Sequence, residues 1–161
     1  MQRIWAPWRS EYIGSEKSDI CPFCHASENG SAAHLLYSGS LSTVLLNKYP
    51  YTGGHLLISP LRHIALLEDL NPEESIDLFR LMRASVATLK SAFSPDGFNI
   101  GMNLGKSAGA GIEDHLHVHV VPRWDGDTNF MPVLSETRVL SEHLDETCEK
   151  LKPIFDRLRI K

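Results

Sequence analysis

Three histidines alternate with apolar residues in the stretch HLHVHVVPRW, residues 115–124. A period of two is typical of a β-strand, so the histidines are expected on one face and the intervening apolar residues in the core. Pro122 is expected to end the strand, because proline cannot donate a ladder hydrogen bond. Three imidazoles in place of apolar residues are costly to bury, which favours a functional face over a polar edge strand. The histidines are His115, His117 and His119.

Strand geometry limits how these histidines could bind a metal ion. Side chains two residues apart lie about 6.6 Å apart, so the outer pair is separated by about 13 Å. Zinc–nitrogen bonds are only about 2.0–2.1 Å long. Two of the three histidines could share an ion, but all three on a straight strand could not. The row is therefore interpreted as an extended site that lies along a ligand such as a phosphate chain.

A glycine-rich loop, GKSAGAG at residues 105–111, leads directly into the histidines. Alone, such a loop is typical of a flexible hairpin connection. Beside three imidazoles, its small residues would let backbone amides approach an anion, with Lys106 and Ser107 as further donors. A neutral imidazole attacks through its unprotonated nitrogen while the other nitrogen is held by a partner. His117, flanked on both sides, is predicted to be the nucleophile, and His119 to hold phosphate oxygens.

Composition narrows the class of protein. The chain has 161 residues, which suits one domain, and 16 Lys+Arg against 20 Asp+Glu give a net charge of −4. We expect no polymeric nucleic acid partner, because no basic block is present. We also expect no membrane partner, because no apolar run has spanning length and the N-terminus lacks a signal-peptide core.

The three cysteines suggest reduced thiols in the cytoplasm. Two form a CPFC motif, Cys21 and Cys24, and Cys148 stands alone. The motif could be a redox pair, half of a metal site or two buried thiols. As half of a zinc site it needs two more ligands, for which His63 and the histidine row are better placed than His25.

The order of predicted elements indicates an α+β fold. Strands are predicted within residues 35–46, split at Gly39, and at residues 55–60 and 98–104, whereas residues 26–34 are predicted to be a surface loop. A long helix is expected to begin at Asn71 and Pro72, and a C-terminal helix to span about 141–159 with a break near Pro153. The long helix has an apolar stripe expected to face the sheet: Ile76, Phe79, Met82, Val86, Leu89 and Phe93.

The histidine row resembles the signature of the histidine triad family of nucleotide hydrolases and transferases. TVLLNKYPYTGGHLLISPLRH looks like the family's preceding hairpin, and GMNLGKSAGAGIEDHLHVHVVPRW looks like its active-site half. With IWAPWR, CPFC and FMPVLSETRVL, the chain is similar over residues 4–140 to the branch that cleaves diadenosine polyphosphates. The resemblance implies one domain over residues 1–161, with an N-terminal arm (1–20) and a C-terminal extension (125–161). It also implies an antiparallel meander sheet that extends across a homodimer.

The resemblance implies two displacements at the α-phosphate of a dinucleoside polyphosphate. His117 would attack to form a nucleotidyl-histidine, and water or inorganic phosphate would then accept the nucleotidyl group. The backbone carbonyl of His115 would hold the other nitrogen of His117, and His119 would contact phosphate oxygens. A histidine at position 119 leans weakly towards hydrolysis, because some phosphorylase and transferase relatives have glutamine there.

Further site residues follow from the same resemblance. Asn47 matches an asparagine that contacts ribose, and Cys21, Cys24, His63 and His115 match a structural zinc site. Ile112 departs from the family, because many relatives have serine or threonine there. The nucleotide- and phosphate-binding residues expected are Asn47, His55, Asn103, Lys106, Ser107, Gly109, Gly111 and Trp124. Two alternatives remain: a nucleoside phosphoramidate hydrolase, and a nucleotide-binding sensor with little turnover.

Overall fold

The computed structural model describes residues 20–29, 34–127 and 142–158. Within them, five strands form one antiparallel sheet in the order β1-β2-β3-β5-β4, accompanied by three α-helices. The strands are β1 (Leu35–Ser38), β2 (Ser42–Leu46), β3 (Leu56–Pro60), β4 (Gly97–Gly101) and β5 (Val118–Arg123). The helices are α1 (Pro22–Asn29), α2 (Pro72–Phe93) and α3 (Leu144–Asp156). The predicted α+β fold with a long helix and a C-terminal helix is confirmed. Residues 1–19 of the predicted arm (1–20) lie outside the described residues, as do residues 128–141 and 159–161 of the predicted extension (125–161).

Strands β2 and β3 are buried on both faces, although their sequences STVLL and LLISP are only partly apolar. On one face, Val44 and Ile58 belong to a core shared with α2 and α3. On the other face, Leu45 and Leu57 pack with Phe23 of α1. Val118 and Val120 of β5 lie in the first core, as their alternation predicts. The opposite face of β5 carries His119, which pairs in register with Leu57.

Strand β5 is shorter than the alternating histidines predict, and it begins later in the sequence. It begins at Val118, so His115 and His117 precede it and only His119 lies within it. Pro122 does not end the strand but pairs with Phe98 of β4. Its carbonyl accepts a hydrogen bond from Thr52 Oγ1 at 2.8 Å, on the side where the pairing with β3 has already ended. The missing N–H faces the same side, so no ladder hydrogen bond is lost.

Helix α2 begins as predicted, and Met82, Val86, Leu89 and Phe93 of its predicted stripe pack against the main core, but the stripe is wrong at its first two positions. Asn71 and Glu74 form a capping box, and Pro72 occupies the first turn. Ile76 and Phe79 of the predicted stripe are 53% and 65% exposed. The true inner face includes Ser85 and Thr88, polar residues that a search for apolar periodicity passes over. Its buried residues are Glu74, Leu78, Leu81, Ser85, Thr88 and Leu89.

The other two helices also depart from the sequence-based expectation. The first part of the predicted surface loop (26–34) belongs to α1, because Ala26 is buried with Phe23 against the sheet. Helix α3 ends at Asp156 and continues through Pro153 rather than breaking there. Leu151 and Phe155, on either side of the proline, are both buried in the main core, and this packing offsets the lost hydrogen bond. No helix among the described residues is both long and apolar enough to cross a membrane.

Glu74 ties the start of α2 to the segment after β3. Its carboxylate accepts two hydrogen bonds from Arg62, at 2.6 and 2.7 Å, and a third from the backbone N–H of Asn71 at 3.0 Å. The hydrogen bonds from Arg62 hold the pKa of Glu74 below its ordinary value, more than burial raises it. Because Arg62 immediately precedes His63, this contact also fixes the course of the chain at a predicted metal ligand.

We predict that Glu74→Gln lowers the free energy of unfolding by about 1–3 kcal/mol at pH 7, because charged hydrogen bonds are lost at a buried position. A depressed pKa stabilises the fold above the unfolded carboxyl value of about 4.3 and loses this effect as the pH falls through the folded value. The difference in the free energy of unfolding between wild type and variant should therefore become smaller at acidic pH. Urea unfolding at a series of pH values measures this. Glu73→Gln, an exposed neighbour, is the control and should change stability little; a difference independent of pH would contradict the assignment.

Candidate functional site

A cavity of about 500 Å³ lies on the face of the sheet that carries Leu45 and Leu57. Its walls combine apolar side chains with amide and imidazole groups, which suits a ligand with one apolar and one polar part. The apolar and aromatic lining residues include Phe23, Ala26, Leu45, Leu57, Ile112 and Tyr51. The polar lining residues include Asn47, Lys48, Asn103, His117 and His119.

His117 lines this cavity with its ring held in one orientation. Its Nδ1 lies 2.8 Å from the backbone carbonyl oxygen of His115. A carbonyl only accepts, so Nδ1 carries the proton and donates, which leaves the lone pair on Nε2. Burial lowers the pKa of His117, and the hydrogen bond to the carbonyl opposes this only in part. The ring is thus a neutral imidazole whose Nε2 can act as a nucleophile.

His119 is held in the opposite tautomer by a chain of hydrogen bonds. The backbone N–H of Tyr51 donates to Nδ1 of His55 at 3.1 Å. In a neutral ring the proton of His55 is then on Nε2, which lies 2.9 Å from Nδ1 of His119. His119 accepts there and carries its own proton on Nε2. Two neighbouring histidines therefore present an acceptor (His117) and a donor (His119).

The structure brings together part of the expected nucleotide-binding set. Asn47, Asn103, Gly109 and Gly111 line the cavity with His117 and His119. His55 does not; it is fully buried behind His119. Lys106, Ser107 and Trp124 are also not among its described lining residues. Lys106 and Ser107 are exposed in a short 3-10 turn, and the indole of Trp124 donates to the Phe93 carbonyl where α2 ends. Strand β5 carries Trp124 past the site, which separates it from the histidines.

Two aromatic residues beside the histidines were missed in the sequence. The ring of Tyr51 stacks on His119 with the ring centroids 5.8 Å apart, and its centroid lies 4.7 Å from that of His55. Phe23 packs between His115 and His117, with centroid separations of 5.0 and 5.1 Å. The available signals were local: Tyr51 precedes the double-glycine turn, and Phe23 lies between the two cysteines of CPFC.

A second cluster lies next to the cavity and consists of Cys21, Cys24, His63 and His115. We call these four residues the metal cluster. Its ligand atoms all lie within 4.8 Å of one another. Nδ1 of His115 is 3.2 Å from Sγ of Cys21 and 3.6 Å from Sγ of Cys24, and Nδ1 of His63 is 3.3 Å from Sγ of Cys24. These residues could hold a metal ion.

The hydrogen bonding of His115 fits metal ligation. Its Nε2 lies 2.9 Å from the carbonyl oxygen of Pro60, so that nitrogen is the donor and Nδ1 presents its lone pair to the sulfur atoms. Burial lowers the pKa of His115, which keeps the ring neutral as ligation requires. A backbone acceptor on the far nitrogen is the usual way in which a ligating histidine is oriented. Two thiols and two imidazoles suit a tetrahedral ion.

The fold and these sites define a histidine triad protein. The family model described as "HIT domain" matches residues 28–126, so the chain belongs to the HIT domain family, and the resemblance stated from the sequence is confirmed. A relative named AP-4-A phosphorylase, from Mycobacterium tuberculosis, is 38% identical over 157 residues, which cover 91% of this chain and 80% of the relative.

Two further comparisons point in the same direction. A bis(5'-nucleosyl)-tetraphosphatase (asymmetrical) from Schizosaccharomyces pombe is 36% identical over 95 residues, which cover 59% of this chain and 52% of that protein. The crystal structure of a Zn-bound histidine triad family protein from Mycobacterium smegmatis superposes with a TM-score of 0.68 at 26% identity. That alignment covers 85% of this chain and 94% of the other.

The hydrogen-bond geometry predicts opposite tautomers for the two neighbouring histidines. At about pH 8, above the ordinary imidazole pKa of about 6.5, His117 should be protonated at Nδ1 and His119 at Nε2. Long-range proton–nitrogen NMR correlation spectra distinguish the two forms. His143, whose side chain is 79% exposed, is the control and should show averaged tautomers. Protonation of His117 at Nε2 would contradict the assignment.

Proposed function

We propose that this protein cleaves dinucleoside polyphosphates, such as diadenosine tetraphosphate, at an α-phosphate through a nucleotidyl intermediate on His117. One observation supports this most directly: the Nδ1–H of His117 donates to the His115 carbonyl at 2.8 Å while the ring lines the cavity. This arrangement leaves Nε2 as an unprotonated nucleophile. The relatives named for diadenosine tetraphosphate and bis-nucleosyl tetraphosphate chemistry supply the substrate class.

The proposed reaction proceeds by two displacements at the same phosphorus atom. In the first, Nε2 of His117 forms a bond to the α-phosphorus as the bond to the bridging oxygen of the departing nucleotide breaks. His119 donates its Nε2–H to a phosphate oxygen and stabilises developing negative charge. In the second, an acceptor attacks the phosphorus and its bond to Nε2 breaks, which restores His117. Water as acceptor yields AMP and ATP from diadenosine tetraphosphate, and inorganic phosphate yields ADP and ATP.

The nucleoside part of the substrate is proposed to occupy the apolar part of the cavity. Leu45, Leu57 and Ile112 form walls that suit a nucleobase, and Asn47, which also lines the cavity, would make the ribose contact that the family resemblance implies. Asn103, Gly109 and Gly111 lie among the lining residues that would face the phosphates. Ile112 provides no hydroxyl at its position, so in this proposal the phosphate contacts depend on backbone amides and His119. Of the remaining expected residues, His55 orients His119 through a hydrogen bond, and Lys106, Ser107 and Trp124 are not among the described lining residues.

We propose inorganic phosphate as the acceptor, because a relative that is 38% identical over 91% of this chain is named AP-4-A phosphorylase. Diadenosine tetraphosphate incubated with phosphate should give ADP and ATP, whereas without phosphate little product should form. His117→Ala should reduce turnover on the order of 10⁴-fold, as the loss of a nucleophile does in other enzymes, and should retain AMP binding. Chromatography of the nucleotides measures turnover, and isothermal titration calorimetry measures binding.

The control for this experiment is His143→Ala, an exposed histidine at the start of α3. It should retain wild-type turnover. Equal turnover by wild type and His117→Ala would refute the nucleophile, and AMP as the main product with phosphate present would identify a hydrolase instead.

The ion in the metal cluster is proposed to be zinc, in a structural role. Two thiolates and two imidazoles are a preferred zinc set, and four protein ligands leave no open position for a substrate. When bound, the ion would crosslink α1 to the segment after β3 and to the start of the histidine row. A cytoplasmic location is proposed as well, because reducing conditions keep Cys21 and Cys24 available as ligands.

Elemental analysis of purified protein should find close to one zinc ion per chain. Cys21→Ser should lower the zinc content severalfold and lower the melting temperature, because a hydroxyl is a poor zinc ligand. Cys148→Ser is the matched control, since Cys148 lies in α3 and not in the metal cluster, and it should keep full zinc content. Zinc retained at wild-type level in Cys21→Ser would contradict the ligand assignment.

A homodimer with a sheet continued across the interface is also proposed. Strand β4 is an edge strand of the described sheet, with one side unpaired by other described strands. Ile100 in that strand and Leu104 just after it are 48% and 46% exposed. An edge strand with exposed apolar neighbours is a surface that pairing with a second copy would cover.

A further inference from the structure

Helix α1 carries residues of both the metal cluster and the cavity. Cys24 lies in the helix and Cys21 immediately precedes it, while Pro22, Phe23 and Ala26 line the cavity. The helix has eight residues, whereas an isolated helix shorter than about 12–15 residues is only marginally stable in water. Contacts to the rest of the protein must therefore hold this wall of the cavity in place.

Phe23 is the direct physical connection between the two sites. Its side chain is 1% exposed and packs in the core of the cavity face with Leu45 and Leu57. The same ring contacts His115, a member of the metal cluster, and His117, with centroid separations of 5.0 and 5.1 Å. A movement of α1 would therefore change the cavity wall and the surroundings of His117 together.

The metal cluster joins α1 to two other segments of the chain. Cys24 lies opposite His63, which follows β3, and both cysteines lie opposite His115, which precedes β5. An ion bound to all four would fix α1 against both segments. Apart from the ion, the packing of Phe23 and Ala26 in the core of the cavity face holds α1 against the sheet.

We infer that metal binding clamps α1 as a wall of the nucleotide cavity, so that metal affinity and nucleotide affinity are thermodynamically coupled. This inference rests on the proposed nucleotide site and on the proposed metal ligands. A nucleotide that binds only the clamped arrangement favours it, and the ion favours the same arrangement. Linkage then requires each ligand to raise the equilibrium affinity of the other by the same factor.

The test compares zinc-loaded, chelator-treated and zinc-restored protein, with AMP as the nucleotide probe. Calorimetry should show AMP affinity falling about five- to 150-fold on zinc removal, the usual range for coupled sites, and recovering when zinc is restored. Circular dichroism of the same samples verifies that the sheet and α2 remain folded. As the reciprocal measurement, saturating AMP should raise zinc affinity, determined by competition with a chelator of known strength, by the same factor.

Two substitutions in α1 separate coupling from metal binding. Phe23→Leu keeps all four ligands but removes the ring that contacts His115 and His117, so zinc content should persist while the coupling factor falls. Ser27→Ala is the matched control: Ser27 lies in the same helix, belongs to neither the metal cluster nor the cavity lining, and its hydroxyl donates to the Cys24 carbonyl. It should retain the wild-type coupling factor.

The outcomes of these experiments distinguish failure of the coupling from failure of the proposed nucleotide site or of the proposed metal site. Equal AMP affinity with and without zinc overturns the coupling and leaves the cleavage proposal standing. Protein that neither contains nor takes up zinc overturns the metal proposal and the coupling together, again without affecting cleavage. Failure of every form to bind AMP overturns both the nucleotide site and the coupling. A full coupling factor in Phe23→Leu overturns the role assigned to that ring.

Discussion

Hydrogen bonds between histidine rings and the backbone are the interactions on which both sites depend. The carbonyl of Pro60 fixes His115, the carbonyl of His115 fixes His117, and the N–H of Tyr51 fixes His55, which in turn orients His119. A carbonyl can only accept and an N–H can only donate, so each contact selects one tautomer of a neutral ring. A water molecule or a serine hydroxyl can both donate and accept, so it could adapt to either tautomer, whereas a backbone group cannot.

The position of these backbone groups follows from how the sheet is buried. Strands β2 and β3 have one face against α2 and α3 and the other against α1, so the carbonyl of Pro60, at the end of β3, is held firmly. The segment before β5 passes this carbonyl and delivers His115 to one side and His117 to the cavity. Burial also keeps both rings neutral, because the pKa of each is lowered. One short segment thus serves two sites with different chemistry.

Several features of the fold were predictable because they depend on neighbours in the sequence. The capping box at Asn71 and Glu74 and the inward direction of Val118 and Val120 are local properties. Helix α1 was not predictable, because its stability comes from burying Phe23 and Ala26 against strands that lie far along the chain. The inner face of α2 was assigned only in part for the same reason, because Leu89 and its neighbours in the stripe face the core but Ile76 and Phe79 do not. The exposure of Ile76 and Phe79 depends on how the helix is rotated on the sheet, and periodicity does not fix that rotation.

By itself, the sequence determined the chemistry that is available: alternating histidines, a glycine-rich loop before them, and a pair of thiols. These are properties of side-chain type and of spacing along one segment, which need no knowledge of distant residues. Only the tertiary structure decided which nitrogen of each ring carries the proton, that His55 lies behind His119 rather than in the cavity, and that Trp124 lies at the far end of β5. Several of those outcomes depend on contacts between residues up to 64 positions apart, and such contacts exist only once the sheet has formed.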